Sequence, residues 1–356
     1  MIRTVRFCAR SVVFVALAVM LAAAPPALAD NGAYQVRNLV SDVPGAAEHT
    51  DPNLVNAWGI AFNPFGFAWV ADNGTGVATL YDGDGNPQSL VVTIPGGKPT
   101  GIVYNGSGDF VVSKDGVSGP ARFLFATENG IIAAWAPNVD PTNAITVVDN
   151  SASGAIYKGL TLGADGTRFL LYATDFHNNK VDVFDKNFSS VTLPGGFADR
   201  SISDKYAPFG IQNLGGSIYV TYGKQDEDRV DEVAGRGNGI VNVFDASGNL
   251  IRRVFKGGPL NAPWGLALAP ADFGVFSNRL LVGNFGDGTI NAFDPASGKF
   301  VGQLSLPDRK PMVIPGLWAI AFGNGLRNQP TNVLFFAAGP DDEAHGLYGR
   351  IAPTTP

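Results

Sequence analysis

A short phrase recurs six times along this sequence, and it limits the possible folds more than any other feature. The phrase is an aromatic or small residue, then a glycine, then alternating apolar residues, as in Trp58-Gly59-Ile60-Ala61-Phe62. Its copies begin at Trp58, Thr100, Lys158, Phe209, Trp264 and Trp318. Self-similarity at intervals of 42 to 58 residues indicates one structural unit that is used six times.

The same series of segments follows each copy. A second strand ends near an Asp or Asn, as at Asp72, Asp175 and Asn284, and a third strand ends in an aromatic residue followed by Asp. A Gly-, Asn- or Ser-rich turn then leads to a fourth strand, such as Leu90–Ile94. Four short strands bounded by turn residues are typical of a propeller blade. The sequence therefore predicts an all-β fold, a six-bladed β-propeller of four-stranded antiparallel blades.

Strands from the two ends of the chain are predicted to pair and close the ring of blades. The last unit ends soon after Leu347–Ile351 and lacks a fourth strand, whereas an extra strand, Tyr34–Val40, precedes the first unit. We expect Tyr34–Val40 to complete the last blade, because this pairing removes an exposed sheet edge and joins the termini.

The composition agrees with many short strands and excludes several other classes. The 356 residues include 45 Gly and 24 Pro, which helix interiors tolerate poorly. Hydrophobic residues make up 45% and charged residues 16%, so the chain has enough apolar surface to fold, unlike a disordered polar chain. The glycines follow no three-residue period, which excludes collagen.

The first 29 residues have the pattern of a signal peptide. Three arginines precede Ser11–Ala24, an apolar stretch of 14 residues, and Ala27-Leu28-Ala29 offers a cleavage site before Asp30. A helix that spans a bilayer needs roughly 20 residues, so a retained anchor is the weaker alternative. We expect residues 30–356 to form a single domain that is exported to the periplasm or the medium.

The mature chain is acidic and free of cysteine. Loss of the leader removes the only cysteine, Cys8, and three arginines, which leaves 22 basic against 31 acidic residues. A chain without a basic run has no electrostatic attraction for nucleic acid. No later apolar stretch approaches membrane length, so we expect no membrane span in the mature protein.

The phrase also resembles the NHL repeat, in which Pro-x-Gly-Ile-Ala precedes strands that end in Ala-Asp and Phe-Asp. Ala262–Leu266 and Ala207–Ile211 fit the first part, and Val70-Ala71-Asp72 and Val183-Phe184-Asp185 fit the second. The whole chain resembles an uncharacterised family of exported bacterial propellers, with Glu48–Gly59 among its hallmarks. The resemblance implies the fold and little about activity, because propellers host many functions.

In a propeller, the loops that lead into the innermost strands and those that join second to third strands share one face, which we call the upper face. Polar side chains gather in these loops and are candidates for ligand binding. They are Glu48, His49, Asp51, Asn53, Asn56, Glu128, Asn284 and Glu343. The longest loop, Gly223–Gly237, belongs to the same face and is a candidate lid or a solvated excursion.

Metal binding is a second hypothesis for the upper face. All three histidines, His49, His177 and His345, fall there, and imidazoles are ligands of Zn²⁺. Asp72 and Asp175 end equivalent strands, and carboxylates in such loops are ligands of Ca²⁺. The alternative is that the histidines are ordinary loop residues and the aspartates serve tight turns.

Two functions remain open at this point. The first is a binding module whose upper face holds a small molecule, a peptide, a glycan or a protein. The second is a hydrolase, lactonase or lyase assisted by Ca²⁺ or Zn²⁺ at the mouth of the channel. The chain contains no Gly-x-Ser-x-Gly, His-Glu-x-x-His or phosphate-loop motif, so catalytic residues are not identified by motif.

Overall fold

The computed structural model describes residues 1, 33–166 and 168–354, which are almost entirely strands and turns. Apart from Met1, the predicted leader of residues 1–29 lies outside the described residues. Two short 3₁₀ helices, Ser151–Ser153 and Gly274–Phe276, are the helical elements of the described ranges. None of the helices in these ranges has the length and apolar character that crossing a membrane requires.

The strands form six sheets arranged as the blades of a propeller, which confirms the predicted fold, and a further sheet that is a two-stranded hairpin. In chain order they are β1 (Tyr34–Ser41), β2 (His49–Thr50), β3 (Ala57–Phe62), β4 (Ala68–Asp72), β5 (Val77–Tyr81), β6 (Val92–Thr93), β7 (Pro99–Tyr104), β8 (Val111–Lys114), β9 (Val117–Pro120), β10 (Phe123–Thr127), β11 (Ile131–Trp135), β12 (Ile145–Asp149), β13 (Tyr157–Ala164), β14 (Phe169–Asp175), β15 (Lys180–Phe184), β16 (Tyr206–Leu214), β17 (Ser217–Lys224), β18 (Ile240–Phe244), β19 (Leu250–Lys256), β20 (Pro263–Leu268), β21 (Leu280–Asn284), β22 (Ile290–Phe293), β23 (Phe300–Gln303), β24 (Leu317–Phe322), β25 (Leu334–Ala338) and β26 (Leu347–Pro353).

Blades one to five follow the chain, as β3–β6, β7 with β10–β12, β13–β15, β16–β19 and β20–β23. Blade six contains β24–β26, and β1 pairs antiparallel with β26 with Val36 opposite Ile351. The predicted closure by Tyr34–Val40 is therefore confirmed, and the strand extends to Ser41. The Tyr34 hydroxyl also donates to the Phe273 carbonyl of blade five at 2.9 Å, so the first strand joins two blades.

Individual blades depart from the regular pattern. A hairpin of β8 and β9 is inserted in blade two, and β2 adds a short parallel strand to blade six. Blade three has three strands, because Pro194-Gly195-Gly196 interrupts the segment in which a fourth would form. The predicted strand Leu90–Ile94 shortens to Val92–Thr93 and is followed by Pro95 and two glycines.

The glycine of the repeated phrase has a specific role in closing the ring. The innermost strands β3, β7, β13, β16, β20 and β24 each contact the next, and β24 contacts β3. A Cβ placed on the glycines would lie 2.1 to 2.9 Å from a backbone atom of the next blade. These glycines are Gly59, Gly101, Gly159, Gly210 and Gly265. A residue without a Cβ is therefore needed where backbones approach this closely.

Aromatic side chains fill the spaces between neighbouring blades. Trp69 of blade one stacks on Phe123 of blade two at 4.1 Å between ring centroids. Tyr81 of blade one stacks on Tyr348 of blade six at 5.3 Å. Such contacts bury large apolar surfaces between the sheets, so the blades provide a rigid frame for the loops of both faces.

Candidate functional site

Aromatic side chains from the upper-face ends of the innermost and second strands form a layer, which we call the aromatic layer. The Trp58 and Trp318 rings stack with their centroids 3.6 Å apart, and Trp264 meets Trp318 edge to face at 6.0 Å. The layer consists of Trp58, Phe176, Phe209, Trp264, Phe285 and Trp318. Below it, apolar residues of the innermost strands line a channel that widens to a cavity of about 440 Å³ at the opposite face.

A buried lysine lies against this layer. Lys158, in innermost strand β13, has 1% of its side chain exposed. Its ammonium lies 2.6 Å from Glu128 Oε1, 3.1 Å from Asp231 Oδ1 and 5.1 Å from the centroid of the Trp58 ring. A buried charge is tolerated only when it is paired and hydrogen-bonded, and an ammonium over an indole gains a cation–π contact.

Two asparagines connect the carboxylate of Glu128 to the tryptophans. Asn73 Nδ2 donates to Glu128 Oε2 at 3.0 Å, and Asn56 Nδ2 donates to Asn73 Oδ1 at 3.2 Å. Asn56 Oδ1 in turn accepts the indole N–H groups of Trp58 at 2.9 Å and Trp318 at 3.2 Å. Asn56 has φ of 48°, a left-handed conformation that asparagine adopts more easily than most residues. The network therefore fixes Glu128 beside Lys158.

Two further carboxyl groups lie next to this pair. Burial raises the pKa of Glu232 to about 8, although the Lys158 charge opposes the shift. Burial, and then the charge of Glu128, also raises the pKa of Glu343. Glu232 Oε2 and Glu343 Oε1 are buried and have no hydrogen-bond partner among the described residues. Such orphaned atoms are uncommon in folded proteins and call for an explanation.

The charge state of the central pair follows from its partners. Burial alone would lower the pKa of Lys158, but Glu128, Glu232 and Asp231 together raise it, so the ammonium stays charged. Burial opposes ionisation of Glu128, and the Lys158 charge with its hydrogen bond outweighs burial and lowers the pKa of Glu128. We call these seven residues the upper-face cluster: Asn56, Asn73, Glu128, Lys158, Asp231, Glu232 and Glu343.

The loop between β17 and β18 covers Lys158. It supplies Asp231 and Glu232, and Gln225 Nε2 anchors its base by donating to the Phe176 carbonyl at 2.6 Å. Within the loop, the Asp226 side chain accepts the Val230 N–H at 2.9 Å. The Asp231 side chain is 66% exposed, whereas that of Lys158 is buried. This loop therefore separates the lysine from solvent.

Three of the residues predicted from sequence come together in the upper-face cluster, namely Asn56, Glu128 and Glu343. The others lie elsewhere. Glu48 forms a bidentate pair with Arg37 at the outer edge of blade six, at distances of 2.6 and 2.9 Å. Asp51 accepts the Tyr81 hydroxyl at 2.9 Å and the Asn53 amide at 3.0 Å.

Asn284 also lies outside the cluster, in a turn of blade five. Its Nδ2 group donates to the Pro259 carbonyl at 2.8 Å and to Thr289 Oγ1 at 3.1 Å. These bonds fix the turn that joins β21 to β22. The side chain thus satisfies backbone and neighbouring groups, which is a common role for asparagine at a strand end.

The residues predicted to bind metal do not form one group. His345 Nδ1 lies 2.8 Å from Asp42 Oδ2, and His177 Nδ1 lies 3.2 Å from the Arg229 carbonyl oxygen. His49 pairs with Val40 in the edge strand β2 and lies against the turn at Gly85. In the ranges that the structure covers, no three His, Cys, Asp or Glu side chains are placed to hold a metal ion.

The two aspartates of the metal hypothesis accept hydrogen bonds inside their own blades, and Asp72 Oδ1 is buried without a hydrogen-bond partner among the described residues. Asp72 is fully buried and accepts the Thr79 hydroxyl at 2.8 Å, and burial raises its pKa well above the usual range. Asp175 accepts Nδ2 of Asn178 at 2.8 Å and the Ile156 N–H at 3.2 Å. Asp175 therefore serves the turn that follows β14, and metal binding by the two aspartates stays a prediction.

Four members of the cluster were not predicted from the sequence as site residues, namely Asn73, Lys158, Asp231 and Glu232. A signal for Lys158 was present, because it stands at a position where the other copies have an aromatic residue or threonine. A charged residue at a buried position of a repeat indicates a partner that the repeat itself does not supply. Asp231 and Glu232 carry no such signal within their charged loop.

Comparisons with known proteins identify relatives of the whole propeller. The chain is 34% identical over 333 residues to an uncharacterised protein of Acanthamoeba polyphaga mimivirus, covering 89% of this chain and 80% of that protein. A second uncharacterised protein of the same virus is 34% identical over 335 residues, covering 89% and 85%. No protein-family model matches the sequence.

Among solved structures, streptogramin B lyase superimposes with a TM-score of 0.52 and 14% identity, covering 90% of this chain and 97% of that one. A catalytically inactive virginiamycin B lyase from Staphylococcus aureus, solved with quinupristin, gives the same TM-score and identity over 90% and 98%. At this identity the similarity establishes the fold alone. The finer resemblance to NHL repeats stays a prediction.

Proposed function

This chain belongs to the same family as the two uncharacterised mimivirus proteins, and we propose that it is a binding module whose upper face takes a positively charged small molecule. The class of ligand that fits is an organic amine. The site is the upper-face cluster around Lys158. A binding function does not depend on any catalytic motif, and propellers commonly serve as rigid frames for such sites.

The observation that carries this proposal is the pair of unsatisfied carboxyl oxygens, Glu232 Oε2 and Glu343 Oε1. An unpaired acceptor in a buried site is costly, and a ligand with N–H donors would satisfy it. Each oxygen belongs to a carboxyl group whose pKa is raised by burial, because the charge of Lys158 only partly offsets the loss of solvent around it.

The charge balance of the cluster supports a cationic ligand. Four carboxyl groups, those of Glu128, Asp231, Glu232 and Glu343, surround the single ammonium of Lys158. The cluster also already holds one ammonium between carboxylates and the rings of Trp58 and Phe176. The exposed Asp341 and Asp342 on the neighbouring loop add negative charge that attracts cations toward the face.

Titration with putrescine tests the proposal, with 1,4-butanediol as the uncharged molecule of matched shape. We expect saturable binding of putrescine by calorimetry and none of the diol. Glu232→Gln should weaken putrescine binding by about tenfold, because a carboxylate–ammonium hydrogen bond is lost. Glu227→Gln, an exposed change in the same loop, should leave the affinity within about twofold.

Equal binding of the diol, or equal effects of the two substitutions, would show that the cluster does not select for positive charge. Melting curves of both variants provide the folding control. Affinity should also rise between pH 6 and pH 8, because putrescine competes with the proton of Glu232, whose pKa is about 8.

An enzyme of the hydrolase, lactonase or lyase class is the second candidate for the same site. The observation that favours it is Glu232, because a carboxyl group with a pKa of about 8 beside a cation can act as a general acid.

Assistance by Ca²⁺ or Zn²⁺ through His49, His177, His345, Asp72 and Asp175 remains a separate prediction. Stoichiometric metal in the purified protein, lost in a His49→Ala, Asp175→Ala variant, would favour it.

We also infer export of the mature chain to the periplasm or the medium. Support comes from the basic, apolar and small-residue segments that precede Asp30. Intact-mass analysis of the protein secreted by a bacterial host should give a chain that begins at Asp30. Cell-associated protein of full length, with residues 1–29 still present, would contradict this inference.

A further inference from the structure

A second cavity lies far from the upper-face cluster, between blades one and two. It has a volume of about 760 Å³, within the usual range for small-molecule sites. The residues around it come from the ends of β3 and β7 and the starts of β4 and β10, so it opens on the face opposite the cluster. We call it the aromatic cleft.

Six aromatic side chains line the aromatic cleft: Phe65, Phe67, Trp69, Tyr104, Phe123 and Trp135. The Trp69 ring stacks on Phe123 and lies 4.8 Å from the Trp135 centroid, whereas Tyr104 meets Phe123 edge to face at 5.4 Å. These rings hold each other in place, so the walls are fixed before any ligand arrives. Flat rings of a ligand can stack on such walls.

The rim of the cleft exposes a large apolar side chain. Phe65 is 80% exposed on the loop between β3 and β4. Its backbone is held, because the Phe65 N–H donates to Asn63 Oδ1 at 2.9 Å. An exposed phenylalanine beside a preformed aromatic wall is the arrangement expected of a binding site that a ligand completes.

Arg122 is the one charged residue that lines the cleft. It is partly buried, and in the described part of the chain its guanidinium group has no hydrogen-bond or ion-pair partner. Its backbone is fixed by a bond from its own N–H to the Trp135 carbonyl at 2.7 Å. A guanidinium group at an aromatic wall offers paired N–H donors that match a carboxylate or sulfonate.

We propose that the aromatic cleft binds a flat aromatic molecule that carries one anionic group. The ligand rings pack against the accessible side chains of Phe65 and Tyr104, the buried Trp69, Phe123 and Trp135 support these walls, and the anionic group pairs with Arg122. This ligand differs in charge from the one proposed for the upper-face cluster, and the two sites share no residue.

Two probes with the same naphthylamine frame test the role of charge. One is 8-anilino-1-naphthalenesulfonate, and the other is N-phenyl-1-naphthylamine, which lacks the sulfonate. We expect saturable one-to-one binding of the sulfonate, measured by energy transfer from tryptophan. Arg122→Gln should weaken sulfonate binding by about tenfold and change binding of the neutral probe by less than about twofold.

Three matched variants complete the test. Arg122→Lys keeps the charge but not the paired N–H donors, so its affinity for the sulfonate should lie between those of the native protein and Arg122→Gln. Arg309→Gln removes an exposed arginine elsewhere and should change nothing, whereas Phe65→Ala should weaken both probes. The proposal is overturned if Arg122→Gln affects both probes equally or neither, or if Arg309→Gln has the same effect as Arg122→Gln.

Discussion

Replacement of Lys158 by methionine is expected to lower the free energy of unfolding by about 3–5 kcal/mol at pH 7. The substitution leaves the carboxylate of Glu128 buried, with one hydrogen bond from Asn73 but without its cation. The cost of an uncompensated buried charge greatly exceeds the small loss of packing, because methionine has nearly the length of lysine. Urea unfolding at equilibrium measures the change.

The pH dependence of this effect has a definite sign. Lys158 lowers the pKa of Glu128 in the native protein. The ionised Glu128 side chain therefore stabilises the fold above the pKa that it has in the unfolded chain, and this stabilisation is lost as the pH falls. In Lys158→Met the burial of Glu128 is uncompensated and raises its pKa, so the variant loses stability as the pH rises. The difference between the two proteins should therefore shrink toward pH 5.

A double variant separates the charge from the packing. Glu128→Gln removes the carboxylate that Lys158→Met leaves unpaired, so the combination should be more stable than Lys158→Met alone. Lys114→Met is the matched control, because Lys114 pairs with Asp140 at the surface and is about half exposed. If Lys158→Met and Lys114→Met lowered the free energy of unfolding by similar amounts, the buried pair of Lys158 and Glu128 would contribute no more to stability than a surface ion pair.

The second large effect is expected at the glycines of the repeated phrase. Gly210→Ala should destabilise the propeller by about 3 kcal/mol or more, because overpacking against a fixed backbone cannot relax. The new Cβ would lie 2.1 Å from the Trp264 carbonyl oxygen of the next blade. The φ angle of Gly210 is not in the left-handed region, so the loss of stability comes from this contact alone.

Gly108→Ala is the matched control for this contact. Gly108 has no positive φ, and a Cβ there would have no atom within 4 Å. Alanine at such a position should be neutral or stabilise by up to about 1 kcal/mol, since it restricts the unfolded chain. Urea midpoints of the two variants provide the comparison. Equal stability of Gly108→Ala and Gly210→Ala would contradict the role assigned to the glycine in ring closure.

The fold was predictable because its signals are local and repeated. Turn residues and strand alternation recur in each unit, and the extra strand Tyr34–Val40 matched the strand missing from the last unit. Departures from the regular four-stranded blade were less predictable. The short β6 and the three-stranded blade three depend on how Pro95 and Pro194 interrupt individual strands.

The candidate site was predictable only in part. Sorting side chains by face selected Asn56, Glu128 and Glu343, because strand direction decides the face. It also selected Glu48, which instead pairs with Arg37 at an outer edge. The distance of a side chain from the propeller axis depends on the conformation of its loop. The pairing of Lys158 with Asp231 also joins two residues that are 73 apart in sequence. No local pattern records such a contact.

The most direct test of the binding proposal is the number of protons released when putrescine binds. Calorimetric titrations at pH 7 in two buffers with different ionisation enthalpies give this number. Glu232 has a pKa of about 8 and is mostly protonated at pH 7, so an ammonium group beside it should displace about one proton. Glu232→Gln should abolish the release. Putrescine binding without proton release from the native protein would contradict a site at the upper-face cluster.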